Sequence, residues 1–135
     1  MIYLYVMKKA FGLTAIELVA IIVSVTFAVI IFLYQMANIE ASQRDEDRKT
    51  AINAMYYNLE EVFYKKNGYY PQSISSDLLT AMDPKLFTDP QGNLLGLPDS
   101  DYKYDAVDCQ ADKCSSYKLT ARLDKEAGYI KTNRN

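Results

Sequence analysis

Leu18–Ile39 is a run of 22 residues without a charged side chain, in which only Ser24, Thr26, Gln35 and Asn38 are polar. About 20 predominantly apolar residues are enough for a helix to cross a bilayer. The run is crowded with β-branched residues (Ile21, Ile22, Val23, Val25, Val29, Ile30, Ile31), which in water would favour a strand. In lipid the backbone must satisfy its hydrogen bonds within the segment, and that favours a helix. Residues 10–39 hold 23 apolar side chains and one charge, Glu17, whereas residues 40–135 hold 29 charges. The sequence therefore reads as a membrane-compatible segment joined to a soluble domain.

Lys8 and Lys9 precede the apolar run, so the positive-inside tendency predicts a cytoplasmic N-terminus and a translocated remainder. A cleaved secretory signal fits poorly, because its apolar region runs about 7–15 residues and ends at a small-residue site. An uncleaved signal anchor stays open on hydropathy alone. Glu17 does not suit a plain anchor: a carboxylate carried to the bilayer centre costs on the order of 2.5–3.5 kcal/mol. It is either held at the boundary, near the positive end of a helix dipole, or it has a function.

The stretch Lys8-Lys9-Ala10-Phe11-Gly12-Leu13-Thr14-Ala15-Ile16-Glu17-Leu18-Val19 resembles the processing site of type IV pilins and pseudopilins. That family has a short basic leader, a Gly, an apolar residue, and a Glu at the fifth mature position ahead of a long apolar helix. The resemblance implies a leader, residues 1–12, cut by a membrane-embedded prepilin peptidase between Gly12 and Leu13, with N-methylation of Leu13. It also implies that Glu17 pairs with the N-terminal amine of an adjacent subunit during assembly. In an apolar filament core such a pair would set register more than it would add net stability. Leu13 stands where the family commonly has Phe, and the later Gly and Pro of many pilin helices are missing. Starting at Met7 would give the leader a familiar six-residue form, and processing from Met1 or Met7 yields the same mature chain of 123 residues.

Past Ile39 the helical period continues. Ile52, Met55, Tyr56, Leu59, Val62 and Phe63 recur three and four apart, which predicts one buried face. Arg48, Lys49, Asn53, Asn58, Glu60 and Glu61 fall on the wetter side, and the charged run Glu40–Thr50 reads as a solvated face or a hinge. Asn67-Gly68, with Pro71 beyond, predicts the stop. The segments are thus residues 13–39, a transmembrane or filament-core helix, residues 40–67, its amphipathic half, and residues 68–135, a globular head.

Within the head, Ser75 or Ser76 is expected to cap a short helix through Met82 that carries Leu78, Leu79 and Met82 inward. Asp83-Pro84, Asp89-Pro90 and Gly92-Asn93 read as turns. A period of two marks strands through Tyr102, Tyr104 and Ala106 and through Tyr117, Leu119, Ala121 and Leu123, with a third at Tyr129–Lys131. Cys109 and Cys114 flank Gln110–Lys113 between the first two strands. In an exported domain they are expected to form a disulfide stapling the hairpin, a constraint of about 2 kcal/mol. The fold class is α+β: a long N-terminal helix on a small antiparallel sheet.

The chain has no His, which removes the commonest general base, and no nucleophile–base pair, phosphate loop or metal spacing is evident, so no enzymatic activity is expected. An isoelectric point near 5.1 argues against nucleic-acid binding driven by bulk charge, and no basic patch is visible. The aspartates 99, 101, 105, 108 and 112 would be the place for Ca²⁺, which some pseudopilins bind. Without an EF-hand pattern the solvated-loop reading is preferred and no cofactor is expected.

The resemblance implies a structural pilin of a type IV pilus. Its partners would be other copies of itself, the prepilin peptidase and the membrane assembly machinery. It would begin as a single-pass precursor in the cytoplasmic membrane and end in a surface filament with the head outside. A pseudopilin of a secretion or DNA-uptake system, and a signal-anchored extracytoplasmic binding domain, are the alternatives.

Overall fold

The computed structural model describes residues 14–134, and its first element is the helix α1, Ala15–Tyr57. α1 runs unbroken through the charged stretch 40–50, which is helical throughout. The described residues fall into two units, one ending at Ile39 and the other beginning at Glu40.

In the second unit α1 buries Ala51, Ile52 and Met55, which are the first part of the expected apolar face. The face then changes phase. Asn58–Tyr64 is a π-helix, followed by one last α-helical turn, Lys65–Asn67. A π-turn closes i→i+5 hydrogen bonds, so residues beyond it no longer fall where an α-helical count puts them. Leu59 stays buried, but Val62 is left 44% exposed while Glu60 and Asn58 are almost fully buried. The expectation of Val62 inside and Glu60 outside is thereby reversed. Gly68 ends the helix at φ 74°, a left-handed conformation that costs Gly nothing, and its amide bonds the Tyr64 carbonyl at 2.7 Å.

The sheet has four antiparallel strands: β1 (Tyr70–Pro71), β2 (Tyr102–Gln110), β3 (Lys113–Ala121) and β4 (Tyr129–Thr132). β3 is central. It pairs with β2 along its whole length, and with β1 at Lys113–Cys114 and β4 at Lys118–Ala121. Tyr117, Leu119 and Ala121 alternate inward as the two-residue period predicts. With Tyr70, Leu79, Phe87 and Tyr102 they meet the buried helix face in one core. The α+β arrangement of a long N-terminal helix on a small antiparallel sheet is the observed one.

The segment before Pro84 departs from expectation. Ser75 does not cap a helix. Its carbonyl accepts from the amides of Leu78 and Leu79 in a single turn that goes no further. That turn buries Leu79 completely and leaves Leu78 41% exposed. Pro84 then starts a 3-10 turn, Pro84–Phe87, in which Asp83 accepts the Lys85 amide at 2.9 Å. So short a segment cannot sustain a helix by propensity, and the burial of Leu79 and Phe87 sets its path.

The hairpin loop is two residues, Ala111 and Asp112, because β2 and β3 run on to Gln110 and Lys113. Ala111 has φ 54°, a value that costs an L-residue with a Cβ roughly 1–2 kcal/mol. Ala111→Gly should therefore stabilise the head by about 0.5–1 kcal/mol, after allowing for the greater freedom of Gly in the unfolded chain. A rise of a few degrees in the thermal midpoint is the expected reading, and a fall would contradict it.

Candidate functional site

The first unit presents an apolar helix with one carboxylate at its start. Thr14 precedes the helix and Glu17 lies in its first turn. The Glu17 carboxylate accepts the Thr14 amide at 2.9 Å, and the Glu17 amide reaches the Thr14 hydroxyl at 3.4 Å. This reciprocal arrangement is a capping box, and its T-x-x-E signature stands openly in the sequence. Glu17 is thus directed at the chain immediately after Leu13. Gly12 and Leu13, the expected cleavage and methylation positions, lie outside the described residues, as do Lys8 and Lys9.

The remaining polar side chains of this helix mostly turn back on the backbone. Ser24 donates to the Ala20 carbonyl, Thr26 to Ile22 and Asn38 to Tyr34, at 2.8, 2.8 and 3.2 Å. Such i→i−4 bonds hide hydroxyl and amide groups from an apolar environment. Gln35 makes no such bond. Large apolar side chains are exposed all round, from Ile16 at 77% to Ile39 at 62%. Water does not tolerate a continuous apolar surface of this extent, so lipid or other chains must cover it. The helix is long and apolar enough to cross a membrane, as a single-pass anchor requires.

The head is held to its helix by a buried ion network. Arg48 and Asp45, expected on the wet side, are completely and almost completely buried. Arg48 donates through Nη1 to Asp45 at 2.8 Å and through Nε to Asp101 at 3.0 Å, with Nη2 2.7 Å from the same Asp101 carboxylate. Asp124 approaches Nη1 at 3.2 Å, and Arg122 donates to the other Asp101 oxygen at 2.8 Å. Asp45 in turn accepts the amides of Asp124 and Lys125 at 2.7 and 2.9 Å. Helix, β2 entry and the β3–β4 connection are thus joined through two side chains one turn apart.

Acid should undo this network in a definable window. Burial opposes ionisation of Asp45, but the amides of Asp124 and Lys125 and the Arg48 guanidinium outweigh it and hold its carboxyl below the ordinary 3.8. Asp89 behaves alike: burial acts against it, and the amides of Asp101, Asn93 and Gln91 prevail. Arg44 first, and Arg48 with it, lower Asp124. Carboxyls lowered by folding contribute stability that is complete above their unfolded value and lost as pH falls through the folded one. The thermal midpoint of the head should hold steady from pH 7 to about 5 and fall steeply below about 4. A decline already evident near pH 6 in circular-dichroism melts would contradict this.

Glu60 was also unexpected inside. Its carboxylate accepts the Tyr117 hydroxyl at 2.7 Å and the Tyr70 hydroxyl at 3.2 Å, beneath the edge-to-face pair Tyr70–Tyr117. Burial, and then Glu60 itself, push the Tyr117 hydroxyl well up from its ordinary value, so it stays a donor at any physiological pH.

Cys109 and Cys114 sit directly opposite each other on β2 and β3 and form the disulfide. The five aspartates do not converge. Asp101 is held by Arg48 and Arg122, and Asp105 pairs with Lys103 at 3.3 Å. Among the described residues no group of three or more His, Cys, Asp or Glu side chains could hold a metal ion. The distal partners that occupy Asp101 are what a reading of the local acidic spacing missed. Comparison of the chain with known protein families, with characterised proteins and with solved structures gives no match.

Proposed function

We propose that this chain is the structural subunit of a type IV pilus. In this reading a prepilin peptidase cuts between Gly12 and Leu13 and methylates the new amine of Leu13. The precursor waits in the cytoplasmic membrane by its apolar helix. Copies then polymerise through residues 13–39 and carry their heads on the outside of a surface filament. Assembly is the chemistry: apolar side chains leave lipid for one another, and Glu17 meets the amine of a neighbouring Leu13.

The observation that carries the reading is the helix Ala15–Ile39, apolar on every side, with its single carboxylate at Glu17 capping the first turn. A plain anchor needs the apolar length, and for it the carboxylate is only a cap on the first turn. An unpaired Glu17 inside a bundle of such helices would be costly, so stacking that pairs it is favoured over stacking that does not.

Mass spectrometry of the chain from its own cells tests this directly. The expected mature N-terminus is Leu13 bearing one added methyl group. An intact N-terminus at Met1 or Met7 would overturn the reading and leave a signal-anchored domain. Correct processing together with absence from sheared surface fibres would instead identify a pseudopilin of a short secretion or DNA-uptake filament.

A further inference from the structure

The second unit carries a polar hollow whose distance from the apolar run is limited by the chain itself. That run, Leu18–Ile39, extends about 33 Å as a helix, close to the roughly 30 Å of a bilayer's hydrocarbon. Ser42 is the third residue after Ile39 on the same helix, about 4.5 Å further along. The headgroup layer on each side of the hydrocarbon is about 5–7 Å thick. When the run spans a membrane, Ser42 is therefore level with the lipid phosphates, and Glu46 stands one turn further out.

Folding brings a second segment to the same level. The Lys125 ammonium donates to the Ser42 hydroxyl at 3.0 Å. Ser42, Asp45, Glu46, Lys125 and Glu126 line a hollow of about 250 Å³. Most charges around it are matched: Arg44 with Asp124 at 2.9 Å, Lys49 with Glu126 at 3.0 Å, and Asp45 with Arg48 at 2.8 Å. Two charges remain. Lys125 forms no ion pair among the described residues, and Glu46, with its side chain 73% exposed, meets Lys49 at 3.3 Å through one oxygen. The hollow thus has a cation beside Ser42 and an anion one turn beyond it.

We propose that this hollow seats the headgroup of an ethanolamine phospholipid, its phosphate on Lys125 and Ser42 and its ammonium on Glu46. Such a headgroup carries the phosphate next to the acyl chains and the ammonium outermost, the same order as the two side chains. Its ammonium donates charge-assisted hydrogen bonds to a carboxylate, which the methylated ammonium of choline cannot do. A purely anionic headgroup would meet the exposed carboxylates Glu40, Glu46, Asp47 and Glu126 without a cation of its own. The inference rests on residues up to Ile39 lying in lipid, the precursor stage of the filament reading, and does not require that filaments form. Withdrawal of the helix from the membrane then breaks one lipid contact for each subunit.

The test uses the full chain in phosphatidylcholine nanodiscs holding equal minor shares of phosphatidylethanolamine and phosphatidylglycerol, released for native mass spectrometry. Phosphatidylethanolamine should stay bound about tenfold above its share, while the other two lipids follow theirs. Lys125→Gln and Glu46→Gln should each remove the enrichment, and Lys125→Arg should keep most of it. Both side chains are exposed, so the thermal midpoint of the head should stay within a few degrees of the parent.

Enrichment unchanged in both Gln variants, or phosphatidylglycerol retained above phosphatidylethanolamine, overturns the seat and leaves the filament reading intact. So does equal competition by soluble phosphoethanolamine, or enrichment lost only in step with a lowered thermal midpoint. An intact N-terminus on the cellular chain overturns the filament reading and leaves the seat. A chain that does not insert into the nanodiscs overturns both.

Discussion

Arg48→Ala should lower the stability of the head by about 3–5 kcal/mol, the usual consequence of removing one partner from a buried ion pair. For a unit of roughly 100 residues that corresponds to a fall of about 20 °C in thermal midpoint. The size of the effect comes from what is left behind more than from the contact removed. Asp45 and Asp101 remain buried, now facing each other and Asp124 without the guanidinium that joins them. Arg48→Lys should recover only part of the loss, since one ammonium cannot reproduce hydrogen bonds from both Nε and Nη1 to two carboxylates. Thermal melts of detergent-solubilised chain, followed by circular dichroism, read both. A shift of only a few degrees in Arg48→Ala would show the network to be a weak contributor.

Glu17→Ala should abolish filaments while leaving the head and its melting unchanged. Because Glu17 also caps its helix, a loss of filaments by itself is ambiguous, and Thr14→Ala resolves it. That substitution removes the Thr14 hydroxyl from the box and keeps both the Thr14 amide and the Glu17 carboxylate. If the carboxylate registers neighbouring subunits, Thr14→Ala filaments persist at near-parental amounts and Glu17→Ala filaments do not. Equal loss in both variants would reduce Glu17 to a local cap. Electron microscopy of sheared fibres, with cleavage checked by mass, separates these outcomes.

Periodicity made much of the fold legible. The three and four spacing of Ile52, Met55 and Leu59, the two-residue alternation of Tyr117, Leu119 and Ala121, and the Asn67-Gly68 stop all describe local geometry, and each is found. What escaped depends on distant partners. Arg48 looks like one charge in a solvated run until Asp101, 53 positions away, and the 124–125 loop are folded against it. Glu60 looks exposed until the π-turn shifts the helical phase and brings it to Tyr117, 57 positions away. Of the candidate site, the apolar run and Glu17 were visible at once. The Thr14–Glu17 box is written in the same stretch as a plain T-x-x-E spacing.

The unbroken course of α1 has a mechanical consequence. Helices bend sharply where Pro, Gly or a π-turn interrupts the hydrogen-bond ladder, and α1 contains none of these from Ala15 to Tyr57. A fibre built from it would have no soft element along its axis. If copies of the chain form the proposed filament, the helix of each would resist stretching, and elongation would come from subunits slipping past one another. Pulling such a fibre should therefore give a stiff response up to a yield force, followed by stepwise failure between subunits, without the gradual stretch that a partly unwound helix allows.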